Sequence, residues 1–172
     1  MEELLKIKLE RGNFVVKEPK EELEQKGYGE KREGKLILAP YEALYLVHIE
    51  KAQVFKKREL MSFEKLLNYI KRKDKKIMTK FLIYKDLRNR GYVVKEGFGF
   101  GSDFRVYDRG DYGSKSAKYV VFALSEGTEI SLKELPKIVN EIYNMGKEAI
   151  LGVVERRGEV IYYKLSKAKF IF

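Results

Sequence analysis

The sequence predicts an α+β protein: a small N-terminal α+β domain over residues 1–76, followed by a C-terminal mixed-sheet α/β domain over residues 77–172. Three observations lead there. Short runs rich in Val, Ile, Leu and Phe recur between glycine turns, as strands do. Longer segments carry apolar residues at helical spacing. The second half orders its elements as helix, three strands, helix and two strands, which is the order of a mixed sheet with helical cover.

Taken in order, Lys6-Ile7-Lys8-Leu9 and Asn13-Phe14-Val15-Val16 read as strands on either side of an Arg11-Gly12 turn. Gly27, Gly29 and Gly34 punctuate the next stretch, and Lys35-Leu36-Ile37-Leu38 is another short strand. Pro40 sits at the opening of a helix through Val47, since its ring presets the backbone and its missing N–H is no loss in a first turn. Gln53-Val54-Phe55 reads as a strand. Ser62 caps a helix whose Phe63, Leu66, Leu67 and Ile70 share one face. The largely basic run Lys71 to Lys76 ends that helix and marks the expected domain boundary.

Residues 78–90 place Met78, Phe81, Leu82 and Leu87 at helical spacing, and Gly91 is a natural C-terminal stop. Strands come next at Tyr92-Val93-Val94, at Phe104-Arg105-Val106-Tyr107 and from Tyr119 to Leu124. Ser131 and Glu134 form the pattern of a capping box, with Ile130 and Leu135 as its staple, for a helix running to Met145 and stopped by Gly146. Pro136 deletes one backbone bond there, which predicts a kink or a delayed start. Ala149 to Val154 and Val160 to Leu165 complete the chain as a hairpin across Arg157-Gly158.

Composition narrows the functional classes. The 172 residues hold 36 Lys+Arg against 26 Asp+Glu, a formal charge of +10. Such a surface attracts polyanions, because phosphate contacts release condensed counterions. Lysine-rich surfaces also serve solubility, so charge alone leaves both readings open. Cysteine is absent, which removes disulfides and thiolate metal sites and fits a reducing, cytoplasmic compartment. No run approaches the ~20 apolar residues of a membrane span, and Met1 to Lys6 lack the order of a signal peptide.

The cluster Gly97-Phe98-Gly99-Phe100-Gly101-Ser102 has the look of a dinucleotide loop, but Ser102 holds the third glycine position and a strand comes after it instead of a helix. A bend between strands is the better account. His48 is the single histidine, placed at a helix end beside Val47 and Ile49, so it reads as a packing or capping residue. With one His and no Cys, a zinc centre is not expected, and neither a metal nor a cofactor is implied. Arg105, Tyr107 and Arg109 interleave cations with an aromatic ring, a pattern suited to phosphate contact and base stacking.

The run from Tyr84 to Lys95, and after it Gly101-Ser102-Asp103-Phe104-Arg105-Val106-Tyr107-Asp108-Arg109-Gly110, closely resembles the catalytic-domain signature of archaeal tRNA-intron (tRNA-splicing) endonucleases. Tyr41 to Leu46 and Ser62-Phe63-Glu64 resemble that family's N-terminal domain, so the likeness covers nearly the whole chain. It implies metal-independent cleavage of precursor tRNA at bulge-helix-bulge junctions by a Tyr, His and Lys triad. An activated 2′-hydroxyl attacks, leaving a 2′,3′-cyclic phosphate and a 5′-hydroxyl. The tyrosine falls on Tyr107 and the lysine on Lys147. The histidine falls on Ser116, within Ser116-Ala117-Lys118-Tyr119, and a serine hydroxyl cannot act as general acid near neutrality. An arginine expected to stack on a bulged base falls on Asn140.

The resemblance therefore implies a structural subunit paired with a catalytic paralogue in a heterotetramer, acting through its interfaces. Arg105, Arg109 and Lys118 are the expected RNA contacts. The expected interface residues are Glu155 and Glu159 in the Glu155-Arg156-Arg157-Gly158-Glu159 turn, and Phe170 and Phe172 at the apolar end. The last strands are expected to pair across a dimer. Two alternatives are a catalytic subunit in a homo-oligomer, with its acid replaced by Ser116, and a plain structured-RNA-binding module.

Overall fold

The computed structural model describes residues 3–170. Met1, Glu2, Ile171 and Phe172 lie outside the described residues, so the expectation for Phe172 is not addressed by the fold. The chain divides into two units, residues 1–85 and 86–172, with the division falling inside one helix.

In the first unit β1 (Leu5–Glu10) and β2 (Asn13–Val16) form a hairpin. The helix α1 (Glu21–Gln25) leads to β3 (Glu30–Arg32) and β4 (Lys35–Leu38). Next come α2 (Pro40–His48), β5 (Ala52–Lys56), β6 (Glu59–Met61) and α3 (Phe63–Lys71). The strands form one sheet in the order β3-β4-β2-β1-β5-β6. β1 and β5 are parallel, and the other pairs are antiparallel. Ile7, Val54, Leu44 and Leu66 are fully buried, so the alternation of β1 and β5 is what sets the core.

Two polar devices hold this unit's α2 and α3 starts. The Ser62 hydroxyl accepts from Lys65 N at 3.2 Å, as expected of an N-cap. At α2 the buried carboxylate of Glu42 accepts from Ala39 N at 2.7 Å and from Gly29 N at 3.2 Å, tying the helix start to the turn before β3. His48 is exposed at the end of α2, its ring 5.9 Å from Phe63 and 5.6 Å from Phe81.

The helix α4 (Ile77–Asn89) crosses the division. The second unit then builds β7 (Val93–Glu96), β8 (Phe104–Tyr107), β9 (Tyr119–Ser125), α5 (Leu135–Asn144), β10 (Glu148–Val154) and β11 (Val160–Leu165). Its sheet order is β11-β10-β9-β8-β7, mixed because β9 and β10 run parallel while the other pairs are antiparallel. α5 supplies the crossover between β9 and β10, as parallel pairing demands. Ile142 of α5 packs on Val120 and Ala149, with Phe122, Ile138 and Leu165 around them.

The N-terminus of α5 corrects the sequence expectation. Ser131 and Glu134 do not form a capping box: the Ser131 hydroxyl accepts from Lys133 N, and the helix starts only at Leu135. Pro136, in the first turn, is the cause, since the helix can begin only where a missing N–H does no harm. Three elements were not expected, α1, β3 and β6. α1 buries no residue, so it has no apolar period to read, and β3 and β6 span three residues each. Among the described residues no helix is long and apolar enough to cross a membrane.

Candidate active site

The residues singled out in the second half converge through strand registers. β8 ends on Tyr107, while β9 and β10 begin just after Lys118 and Lys147. β8 runs antiparallel to β9, and β9 parallel to β10, so those three strand ends share one edge of the sheet. With strands spaced about 4.8 Å apart, the ends of β8 and β10 lie roughly 10 Å apart, a gap that tyrosine and lysine side chains can close. Tyr119 faces Val106, and Lys118 N also donates to Val106 O at 2.9 Å, so two residues oppose one in the manner of a bulge. Glu148 N donates to Lys118 O at 2.9 Å and locks the start of β10 beside it.

Lys147 comes directly after the left-handed Gly146 (φ +71°), which ends α5 and turns the chain into β10. Its ammonium donates to the carbonyl of Ala117, directly after Ser116. It also lies 5.2 Å from the Phe98 ring centroid, and the Arg105 guanidinium lies 5.4 Å from the same ring. Burial, and then the neighbouring Arg105 charge, hold the Lys147 amine below the usual lysine value. Arg105 Nε is buried and has no hydrogen-bond partner among the described residues. In register, Arg105 stands between Lys95, itself buried, and Val120. One row of the sheet thus carries two basic residues on the face that α5 covers further along.

Tyr107 meets Tyr112 edge-on, with ring centroids 5.0 Å apart. Tyr112 comes from the loop that carries Ser116, and Ser116 itself is exposed. Arg109 is exposed and lies over the Tyr92 ring at 5.4 Å, while Lys118 pairs with Asp108 at 3.6 Å. The N–H of Arg109, with the Lys118 charge adding to it, lowers the Asp108 carboxyl below its usual range. The fold therefore gathers Arg105, Tyr107, Ser116, Lys118 and Lys147 at one end of the sheet.

Glu155 and Glu159 sit at the other end, in the β10–β11 turn, where Glu155 N donates to Glu159 O at 2.9 Å. Phe170 lies beyond β11 and is 79% exposed. Phe98 and Lys95 escaped the sequence reading. Phe98 was one of several residues in a glycine-rich bend, and the position of Lys95 beside Arg105 exists only once the register is known. The bend is tight: a Cβ on Gly97 would come within 2.5 Å of the Ser102 carbonyl oxygen. Among the described residues no three His, Cys, Asp or Glu side chains gather to hold a metal ion.

What this end of the sheet offers chemically is a phenol, two cations sharing an aromatic ring, and an unpaired buried guanidinium N–H, with no imidazole. Residues 77–162 match the family described as tRNA intron endonuclease, catalytic C-terminal domain, and residues 5–67 match the N-terminal domain of the same family. The chain is 38% identical over 148 residues to a tRNA-splicing endonuclease of Methanococcus vannielii, covering 86% of this chain and 84% of that protein. It is 36% identical over 143 residues to one of Thermococcus gammatolerans (83% and 84%) and 34% identical over 145 residues to one of Pyrococcus abyssi (84% and 84%).

Proposed function

The chain belongs to the tRNA intron endonuclease family, and from that premise we propose that it is the structural subunit of such an enzyme, paired with a catalytic paralogue that supplies the missing acid. The substrate is precursor tRNA, cut at bulge-helix-bulge junctions to leave a 2′,3′-cyclic phosphate and a 5′-hydroxyl. The observation that carries this reading is the residue at position 116. A serine stands where the related signature has an imidazole, and the chain's single histidine, His48, belongs to the other unit.

A 5′-oxygen leaving group needs a proton in the transition state, and positioned proton transfer contributes about 10²–10⁴-fold to rate. A serine hydroxyl holds its proton too tightly to deliver it near neutrality. Lys147 and Arg105 still provide the charge that a dianionic phosphorane requires, and Tyr107 still provides a phenol. In this reading those groups serve binding and shape. The test is co-expression with a paralogue bearing an intact Tyr, His and Lys set. A hetero-oligomer by mass, active only with that partner, supports the proposal; full cleavage by this chain alone overturns it.

One observation favours a second reading, a catalytic subunit that uses a different acid. The lowered proton affinity of Lys147 makes its ammonium a better donor than an ordinary lysine. That reading requires cleavage by the isolated chain, with loss of the reaction on Lys147→Met.

A further inference from the structure

The first unit carries a concentration of cations that the cleavage site does not use. β1 and β5 are parallel, with Leu9 facing Lys56, so the β1–β2 turn and the β5–β6 turn emerge from the same end of the sheet. The first turn is Arg11-Gly12 and the second Lys57-Arg58, and all four cations of Arg11, Lys56, Lys57 and Arg58 are exposed. The end of α3 arrives at the same place. The Lys56 amine lies 4.9 Å and the Lys73 amine 5.3 Å from the centroid of the Tyr69 ring. A Cβ on Gly12 would stand 3.0 Å from Lys73 Nζ, so that amine lies directly over the β1–β2 turn.

The acids nearby are already engaged. Glu10 is paired with Lys8 at 3.2 Å and Glu59 with Lys65 at 2.7 Å. Among the described residues Lys57, Arg58 and Arg72 form no ion pair with a carboxylate. A helix C-terminus favours cations, which accounts for Lys71, Arg72 and Lys73. It does not account for the turns.

The backbone supplies a second, independent observation. Arg11 (φ +50°) and Lys57 (φ +58°) adopt the left-handed conformation, which suits Gly or Asn and costs an L side chain about 1 kcal/mol. Two acidic residues of this unit do the same, Glu33 (φ +50°) and Glu50 (φ +58°), and both precede strands that start from the opposite end of the sheet. Long basic side chains thus occupy strained positions at one end, and acidic ones at the other. A sequence selected only for good turns would place glycine or asparagine at these sites.

We propose that this end of the first unit, built from Arg11, Lys56, Lys57, Arg58 and Lys73 around Tyr69, is a binding surface for the sugar-phosphate backbone of double-helical RNA, separate from the cleavage residues. Flexible ammonium and guanidinium groups spread over two turns and a helix end fit phosphates spaced along a strand. They read no base edges, so the contact is with helix shape and charge. Binding does not depend on the cleavage reading, because the surface contains none of its residues.

The test measures binding of the full chain to a bulge-free RNA duplex of about 16 base pairs, by fluorescence anisotropy across a salt series. The variant Lys57→Gln/Arg58→Gln/Lys73→Gln is compared with Lys17→Gln/Lys20→Gln/Lys51→Gln, which removes equal charge away from these turns. The expected result is a loss of about tenfold or more at physiological salt for the first variant, with the slope of log affinity against log salt falling by about two. The second variant is expected to stay within about twofold of the parent. Equal losses in both variants, or no loss in the first while its melting temperature is unchanged, overturn the proposal. So does binding of poly-glutamate as tight as that of the duplex and abolished by the same three changes, since the partner would then be an acidic protein. Cleavage assays on bulge-helix-bulge RNA keep the two claims apart: inactivity alone does not touch this one.

Discussion

The Lys147 ammonium donates to the Ala117 carbonyl, so the cation at the start of β10 is anchored to the residue directly after Ser116. Residue 116 is therefore held beside the cation by backbone geometry, whatever its side chain. If the chain is a structural subunit, Ser116→His leaves the isolated protein without cleavage, because Asn140 still stands where the resemblance implies an arginine that stacks on a bulged base. A 5′-labelled bulge-helix-bulge RNA resolves the outcome. A gain of about 10²-fold or more on this single change would mean a catalytic subunit disabled at one position.

Arg105 and Lys147 share the Phe98 ring, and burial together with the Arg105 charge lowers the Lys147 pKa. In the folded state Lys147 releases its proton at a lower pH than in the unfolded chain. Between those two values the unfolded chain binds more protons, so this group makes stability rise with pH there. Lys147→Met is expected to flatten that rise in denaturant melts at pH values below the ordinary lysine pKa. Arg105→Met is expected to move the Lys147 titration, tracked by the ¹³Cε shift, back toward the ordinary lysine value. An unchanged titration in Arg105→Met would show that burial acts alone.

How much of the fold and the site was legible depends on which interactions are local. The strand that ends on Tyr107 could be read from its own run, Phe104-Arg105-Val106-Tyr107, and Gly146 could be read as a stop because only a left-handed residue turns α5 into β10. The strands β2, β4 and β8 also announced themselves through alternation, and the burial patterns of β2 and β4 agree with it. Lys95 beside Arg105, and Phe98 beneath two cations, depend on register between strands, which no window of sequence contains. α1 stayed hidden because its Glu-rich turn buries nothing. At the start of α5 a capping pattern and a proline gave opposite local signals: the capping box did not form, and the delayed start expected from Pro136 did.

Glu42 predicts a stability effect in the first unit. Its buried carboxylate accepts from Ala39 N and Gly29 N, joining the α2 start to a left-handed glycine turn. Glu42→Ala strands those donors away from water, a loss of about 2–3 kcal/mol for hydrogen bonds to a charged acceptor. Urea unfolding would show it as a lower midpoint at constant slope. A loss below about 0.5 kcal/mol would mean that water replaces the carboxylate.

Tyr162 donates its hydroxyl to Asp86 at 2.7 Å, and Arg90 Nε donates to the same carboxylate oxygen at 2.9 Å, which ties β11 to the C-terminal turns of α4. Burial first, and then the Asp86 hydrogen bond and charge, raise the Tyr162 pKa well above the usual phenol value. Above about pH 10 the unfolded chain therefore loses this proton while the folded chain keeps it, so stability falls as pH rises. Tyr162→Phe is expected to cost about 1.5–3 kcal/mol at neutral pH, and its deficit relative to the parent is expected to shrink between about pH 10 and 11. A deficit independent of pH would show that the phenol titrates normally.

β11 is the edge of the second sheet, pairing with β10 on one side only, and it exposes Ile161 and Tyr163. An edge strand with exposed apolar side chains is a template for pairing with another strand, which native chains otherwise blunt with charges, prolines, bulges or a covering segment. Phe170, exposed just beyond it, adds apolar area to the same end of the chain. Lys164 is bonded to Glu148 on the neighbouring strand at 2.9 Å, so this lysine is not free to guard the edge. On the subunit reading this edge pairs with a second chain. Ile161→Lys/Tyr163→Lys is then expected to leave the fold intact by circular dichroism and to lower the mass measured by light scattering to that of a monomer. If the parent chain is already monomeric with and without a paralogue, and stays soluble, the edge has no partner and the subunit reading loses its physical basis.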